Sequence, residues 1–189
     1  MRKKGFILLA AFLMLAGAYA GGTLAYLADG SGSSSHTFAI GNVEIALTEN
    51  TEGADMEGEA GGLHMVPGNT VKKDLAVSVA EGSEDCWLFV KLEKSDNLDA
   101  FIRYELEEGW RELPSENGVY YRSVYVGDRE KTFSVLKDNQ MVIREDITKR
   151  QMDEVSQGKA NAPALSFTAY AVQKANIGTV QEAWKQIGS

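Results

Sequence analysis

Short apolar runs with a period of two residues are the feature that most constrains the fold of this chain. Residues 165–172 (Leu-Ser-Phe-Thr-Ala-Tyr-Ala-Val) alternate, which is typical of a strand with Phe167 on one face and Tyr170 on the other. Residues 86–92 are apolar at nearly every position, which predicts a central strand covered on both faces. About eight or nine such runs, separated by turn signals, predict a mainly β fold, a jelly-roll-like β-sandwich with two or more short helices.

Glycine and proline mark the turns between these runs. The alternation changes phase between residues 38–40 and 43–47, and Gly41 lies at the change. A change of phase at a glycine predicts a bulge or a tight bend. Pro67 and Gly68 predict a turn, because proline presets φ and glycine accepts a positive φ.

The second half of the chain carries a hairpin signal and two helix starts. Residues 110–113 and 119–126 predict a hairpin, and the Asn-Gly pair at 117–118 supplies the positive φ values of its turn. Capping boxes that begin at Thr148 and Thr179 predict two short helices.

The N-terminus has the layout of a secretory signal peptide. Three basic residues at positions 2–4 precede an almost unbroken apolar stretch, 6–20, which is followed by small residues. The predicted organisation is a signal-peptide helix at 1–25, a flexible segment at 26–35 and a β-sandwich domain at 36–189. The expected localisation is therefore secreted.

Two cleavage motifs compete within this N-terminal stretch. Residues 18–20 (Ala-Tyr-Ala) and 23–25 (Thr-Leu-Ala) both end in a small residue, and the second motif places the cut between Ala25 and Tyr26. The apolar residues 5–28 are also long enough to span a bilayer if they remain uncleaved. Cleavage is favoured, and a membrane anchor through the uncleaved signal is the alternative.

Charge and cysteine content exclude several classes of partner. The formal charge is −8, and loss of the three basic residues of the signal takes it to −11, which disfavours nucleic acids and anionic membrane surfaces. Cys86 is the single cysteine, so no intrachain disulfide can form. Its apolar neighbours predict an inert core thiol, and an intermolecular or reactive role is the alternative.

The sequence contains no recognisable motif of enzyme chemistry. Neither histidine belongs to a His-Glu-x-x-His zinc motif, and a Gly-x-Ser-x-Gly nucleophile motif is absent. The acidic, glycine-rich residues 49–62 predict an exposed loop with at most weak calcium binding. We therefore expect no catalytic residue, no bound metal and no cofactor. Tyr120, Tyr121 and Tyr125 leave a glycan- or host-surface-binding face as an alternative function.

Three stretches in the first half of the chain carry more specific motifs. Residues 21–29 read Gly-Gly-Thr-Leu-Ala-Tyr-Leu-Ala-Asp, residues 36–47 contain Thr-Phe-x-x-Gly-x-x-x-Ile-x-Leu, and residues 65–74 contain a Pro-Gly turn. Together they resemble the TasA/camelysin (CalY)-type secreted proteins, whose signal peptide is processed by a SipW-type signal peptidase. The positions that match the family motifs are Phe38, Gly41, Pro67 and Gly68.

This resemblance implies a jelly-roll domain on the cell surface or in the biofilm matrix of a Gram-positive bacterium. TasA-like members form fibres in which the N-terminal segment of one subunit adds as a strand to its neighbour. Here Tyr26, Leu27 and Ala28 would supply the donor strand, and the partners would be the signal peptidase and further copies of the chain. Camelysin is described as a metallo-endopeptidase, so metal-dependent proteolysis is the alternative activity.

Overall fold

A computed structural model of the chain describes residues 35–52 and 66–187. Within these ranges the chain forms ten strands, three α-helices and one 3-10 turn. The strands are β1 Ser35–Ile40, β2 Ile45–Glu52, β3 Thr70–Val79, β4 Cys86–Lys94, β5 Ile102–Arg103, β6 Arg111–Glu112, β7 Val119–Val124, β8 Thr132–Ser134, β9 Gln140–Ile143 and β10 Leu165–Gln173. The helices are α1 Leu98–Phe101, α2 Lys149–Ser156 and α3 Val180–Ile187. The signal peptide predicted at 1–25 lies outside the described residues, as does the segment 26–34.

The strands form two sheets. The first has the order β1-β10-β4-β7-β6, and the second has the order β2-β3-β9-β5 with β8 also paired to β3. β1 runs parallel to β10, and the other described pairs are antiparallel. β4 lies in the middle of the first sheet, which confirms the central strand predicted at 86–92. The mainly β fold with two sheets, as in a β-sandwich, is likewise confirmed.

The inner faces of the two sheets share one apolar core. Leu75 and Val77 of β3, Leu88 of β4 and Phe167 of β10 are all fully buried in it. Burial of an apolar side chain of this size stabilises the fold by roughly 1.5–3 kcal/mol. β10 alternates as predicted, because Phe167 faces this core while Tyr170 packs on the opposite side of the sheet.

A second apolar cluster covers the outer face of the first sheet. α3 places Val180, Ala183 and Trp184 against Phe89 of β4 and Val172 of β10. β4 is therefore covered on both faces, by the other sheet on one side and by α3 on the other. This explains why its sequence is apolar at consecutive positions instead of alternating.

Both predicted helix starts are confirmed. At α3 the Glu182 N–H donates to Thr179 Oγ1 at 3.2 Å, and the Thr179 N–H donates to Glu182 Oε2 at 3.1 Å. At α2 the side chain of Thr148 accepts from the Gln151 N–H while Gln151 accepts from the Thr148 N–H. Each box satisfies two backbone donors that the first turn of a helix leaves without partners.

Three local predictions differ from the structure. The exposed loop predicted at 49–62 is wrong for its first residues, because β2 continues to Glu52 and pairs there with residues 72–75 of β3; the remainder of that range lies outside the described residues. The β6–β7 hairpin is confirmed, but only Gly118 of its Asn-Gly pair has a positive φ, of +74°, and Asn117 does not. Ten strands exceed the roughly eight or nine expected, because a two-residue strand such as β5 is too short to show a period.

Candidate assembly edge

The first two strands of the described chain are edge strands on the same side of the sandwich. β1 begins one sheet, and its register on β10 runs from Ser35 opposite Phe167 to Ile40 opposite Val172. β2 begins the other sheet and pairs with β3. Among the described residues neither strand has a partner on its second edge. One edge of each therefore presents backbone N–H and C=O groups, along six residues of β1 and eight of β2.

The opposite side of the sandwich is built differently. There the first sheet ends in β6, and the second sheet ends in β5 and in β8, which are only two, two and three residues long. Very short edge strands are one way in which proteins prevent a further strand from pairing. Of the two sides that the described residues form, the β1/β2 side is thus the one suited to strand addition.

Two apolar side chains of β1 are only partly covered. Phe38 and Ile40 are 48% and 37% exposed. The Phe38 ring stacks on Tyr170 with centroids 5.3 Å apart, and Tyr170 in turn meets Trp184 edge-on at 5.4 Å. Trp184 lies 5.2 Å from Phe89, so a continuous row of rings connects the edge strand to α3 and to the centre of the sheet.

Gly41 carries the chain from one sheet to the other. Its φ is +92°, and a Cβ at this position would lie 2.6 Å from Oε1 and 2.7 Å from Cβ of Gln173. The neighbouring Asn42 N–H donates to the same Oε1 at 3.1 Å. The bend predicted here is confirmed, and glycine is needed for both its φ and its lack of a side chain.

The Pro67-Gly68 motif forms a tight turn. The Asn69 N–H donates to the Val66 carbonyl at 3.0 Å, with Pro67 and Gly68 between them and a φ of +85° at Gly68. The Gly68 N–H donates to the Ile143 carbonyl at 3.0 Å, which fixes the start of β3 to β9. The predicted turn is confirmed. It lies at the end of the sandwich opposite to the bend between β1 and β2.

The predicted processing and donor residues lie outside the described residues. These are Ala25 and Tyr26 at the cleavage site and Tyr26, Leu27 and Ala28 in the donor strand. The described chain begins at Ser35, directly in β1. Whatever precedes Ser35 is therefore joined directly to the edge strand.

The three tyrosines proposed as one binding face do not share a face. Tyr120 packs against the inner core, whereas Tyr121 belongs to the outer cluster, 6.1 Å from Trp87. Neighbouring residues of a strand point to opposite sides of the sheet. The alternative of one binding face formed by all three tyrosines is therefore wrong. Tyr125 follows the end of β7, is 49% exposed and packs on Lys174, whose Nζ lies 3.8 Å from the ring centroid.

The loop between β7 and β8 is a feature that the sequence did not identify. The Tyr125 N–H donates to Asp128 Oδ2 at 2.8 Å, and the Val126 N–H donates to Asp85 Oδ1 at 2.7 Å. Lys131 Nζ donates to the carbonyls of Tyr125 and Val126. The backbone is thus tied down on both sides while the Tyr125 and Val126 side chains are exposed.

Cys86 is a buried thiol at the start of β4. It is fully buried, and this burial raises the pKa of the thiol to about 11, although the nearby Lys174 and Lys131 charges partly oppose the shift. A raised pKa leaves little thiolate at neutral pH. The core position predicted for Cys86 is confirmed, and its inertness stays a prediction.

We expect Cys86 to react slowly with Ellman's reagent in the native protein. A pKa of about 11 in place of 9.0 lowers the thiolate fraction at pH 8 roughly 100-fold, and burial further limits access. Labelling of native protein at pH 8 should therefore be at least about 100-fold slower than labelling in denaturant. Rapid labelling of the native thiol would contradict the burial of this strand end.

Within 35–52 and 66–187, no group of three or more His, Cys, Asp or Glu side chains is placed to hold a metal ion. No helix in that part of the chain is long and apolar enough to cross a membrane. His64 and the acidic residues from 53 to 62 lie outside it.

The described residues thus provide two long strand edges, the bend at Gly41, the turn at Pro67 and the hydrogen-bonded loop between β7 and β8. Comparison with protein-family models, with curated proteins and with solved structures found no match to this chain.

Proposed function

We propose that this chain is a secreted cell-surface or matrix protein that assembles head-to-tail by strand addition. A SipW-type signal peptidase would remove the signal-peptide helix between Ala25 and Tyr26. The new N-terminal segment would then add as a strand to a neighbouring copy whose sandwich has a jelly-roll arrangement. The observation that carries the proposal is the contrast between the long edge strands β1 and β2 and the edge strands of two or three residues opposite.

Strand addition would satisfy the backbone groups of these edges. Each backbone hydrogen bond contributes about 0.5–1.5 kcal/mol net, so a six-residue edge offers several kcal/mol before ordering costs. Alternate side chains of an added strand would meet apolar neighbours, since Phe38 and Ile40 are both exposed along β1. Tyr26, Leu27 and Ala28 are apolar residues of a kind that fits such a surface.

The length of the N-terminal segment suits contact with a neighbour. Residues 26–34 would span about 30 Å if extended at roughly 3.3 Å per residue. The donated segment and the accepting edge are different surfaces, so the contact is heterologous. Unless it closes into a ring, such a contact produces an open chain of subunits.

Sequencing and microscopy of the secreted protein test this function. Edman sequencing should find Tyr26 at the N-terminus, and Met1 there would contradict cleavage. The chain 26–189 should form fibres in negative-stain images. The chain 35–189, which retains every described strand, should stay monomeric with an unchanged circular-dichroism spectrum.

A point variant tests whether fibre formation depends on the side chains of the donor strand or only on the length of the N-terminal segment. Leu27→Asp places a charge in the donor strand and should abolish fibres, whereas Ala28→Ser, a small change in the same segment, should reduce them far less. Fibres of equal yield from chains 26–189 and 35–189 would reject strand donation.

A further inference from the structure

The hairpin between β6 and β7 carries the single Asn-Gly pair of the sequence, Asn117-Gly118. Asn117 is exposed at the tip of this hairpin. Its side-chain amide forms no hydrogen bond with a described residue, and the Gly118 N–H has no acceptor among those residues. The side-chain amide carbon of Asn117 and the backbone nitrogen of Gly118 are therefore both available for a reaction with each other.

Deamidation of asparagine joins these two groups. The Gly118 nitrogen attacks Cγ of Asn117, so that a new N–Cγ bond forms while the Cγ–Nδ2 bond breaks, and Nδ2 leaves as ammonia with the proton of the attacking nitrogen. Water then opens the resulting cyclic imide. Opening at Cγ gives aspartate, whereas opening at the main-chain carbonyl carbon gives isoaspartate, in which the main chain runs through the former side chain.

The glycine makes this site more reactive than the other described asparagines. Without a Cβ, Gly118 leaves its nitrogen accessible and its backbone adaptable during ring closure. Asn139, by contrast, precedes a glutamine, and its Oδ1 is buried. Asn97 precedes a leucine, and its Nδ2 donates to the Asn161 carbonyl at 2.7 Å.

The isoaspartyl product would not fit the hairpin in its present position. The Gly118 carbonyl accepts from the Leu92 N–H of β4 at 2.8 Å, and a Cβ on Gly118 would lie 2.6 Å from the Leu92 carbonyl oxygen. Isoaspartate adds one carbon atom to the main chain directly before Gly118, so the turn must move away from β4. β6 is held on β7 by only two residue pairs, and such a movement separates them.

We propose that Asn117 is a site of spontaneous deamidation and that its isoaspartyl form releases β6 from β7. Aspartate, the other product, adds a charge without lengthening the main chain, so it leaves the hairpin paired. Release of β6 would leave β7, six residues long, as the edge strand of the first sheet. With age the protein would thus gain a long strand edge on the side that now ends in short strands.

Incubation of the purified protein at pH 8 and 37 °C tests the reaction. Trypsin releases residues 112–122, in which Asn117 is the single asparagine, and residues 138–144, which contain Asn139. Mass spectrometry should find deamidation of 112–122 at least about ten-fold faster than that of 138–144, because Asn117 alone precedes a glycine. Asn117→Gln, whose longer side chain closes an imide ring far less readily, should suppress the reaction. Equal rates for the two peptides would overturn the proposal.

Hydrogen exchange of the separated isoaspartyl form tests the release of β6. The Leu113 N–H donates to the Val119 carbonyl at 2.8 Å beside the turn, so its exchange should become at least about ten-fold faster than in fresh protein. Asn117→Asp carries the charge on a normal main chain and should exchange like fresh protein. Unchanged exchange at Leu113 in the isoaspartyl form would refute the release, and equally fast exchange in Asn117→Asp would refute its main-chain cause.

Discussion

Phe167→Ala is expected to lower the free energy of unfolding by about 3–5 kcal/mol. Phe167 is fully buried on the inner face of β10, between the two sheets. Truncation would remove its apolar contacts and leave a cavity that the paired strands on both sides cannot close. For a chain of this size, each kcal/mol corresponds to roughly 2–4 °C in thermal midpoint. Urea unfolding followed by tryptophan fluorescence measures the loss.

Phe38→Ala is the matched control for this prediction. Phe38 lies on the neighbouring strand but is 48% exposed and touches Tyr170 through a single stacked pair. Such a pair contributes about 0.5–1.5 kcal/mol, so the control should cost under about 1.5 kcal/mol. Equal losses for the two phenylalanines would mean that β1 is much more firmly held than its exposure indicates.

Gly41→Ala is expected to cost about 2–4 kcal/mol, because two penalties act at one residue. A φ of +92° is strained for any residue with a side chain, and the new Cβ would lie 2.7 Å from Cβ of Gln173 in β10. That contact involves the root of the Gln173 side chain, which cannot rotate away. The same movement would break the bond from the Asn42 N–H to Gln173 Oε1.

Alanine variants at two other glycines distinguish the cost of a positive φ from the cost of the steric contact. Gly82 has a φ of +84°, but no atom lies within 4 Å of the place that a Cβ would take, so Gly82→Ala should cost only the backbone term, about 1–2 kcal/mol. Gly127 has neither a positive φ in the strained range nor a neighbour, and its replacement by alanine should change stability by less than about 0.5 kcal/mol. Thermal unfolding of the three variants should rank Gly41 first, and any other order would contradict this account.

Local patterns predicted the elements well for a physical reason. The alternation of residues 165–172 follows from the two-residue period of a strand, and the uniformly apolar residues 86–92 follow from burial on both faces. The bend at Gly41 and the turn at Pro67 likewise depend on the φ values of one or two residues. In each case the residues that determine the local structure are the same residues that form the sequence pattern.

The order of the strands could not be predicted in the same way. β1 and β10 pair although Ser35 and Phe167 are far apart in sequence, and a period of two says nothing about which strand is the partner. The continuation of β2 to Glu52 also depends on β3, whose residues pair with an acidic stretch that has no apolar period. Long-range pairing therefore decided both the edges and the candidate assembly site.

The early end of β7 and the loop between β7 and β8 were not predicted, for a related reason. Val124, Tyr125 and Val126 read as the end of a strand, yet β7 stops at Val124. Asp85, from a different loop, accepts from the Val126 N–H and so holds that backbone outside the sheet. The nearby Gly127-Asp128 pair was the available signal for an early turn.

The parallel pairing of β1 with β10 has a consequence for the order in which the protein folds. The N-terminal strand has its described partner near the C-terminal end of the chain, whereas β2, β3, β8 and β9 pair among residues 45–143. A chain that emerges from the ribosome N-terminus first can complete these pairings before β10 has arrived. β1 must wait for almost the whole domain to be synthesised, so closure of the first sheet at this edge is a late, high-contact-order step of folding.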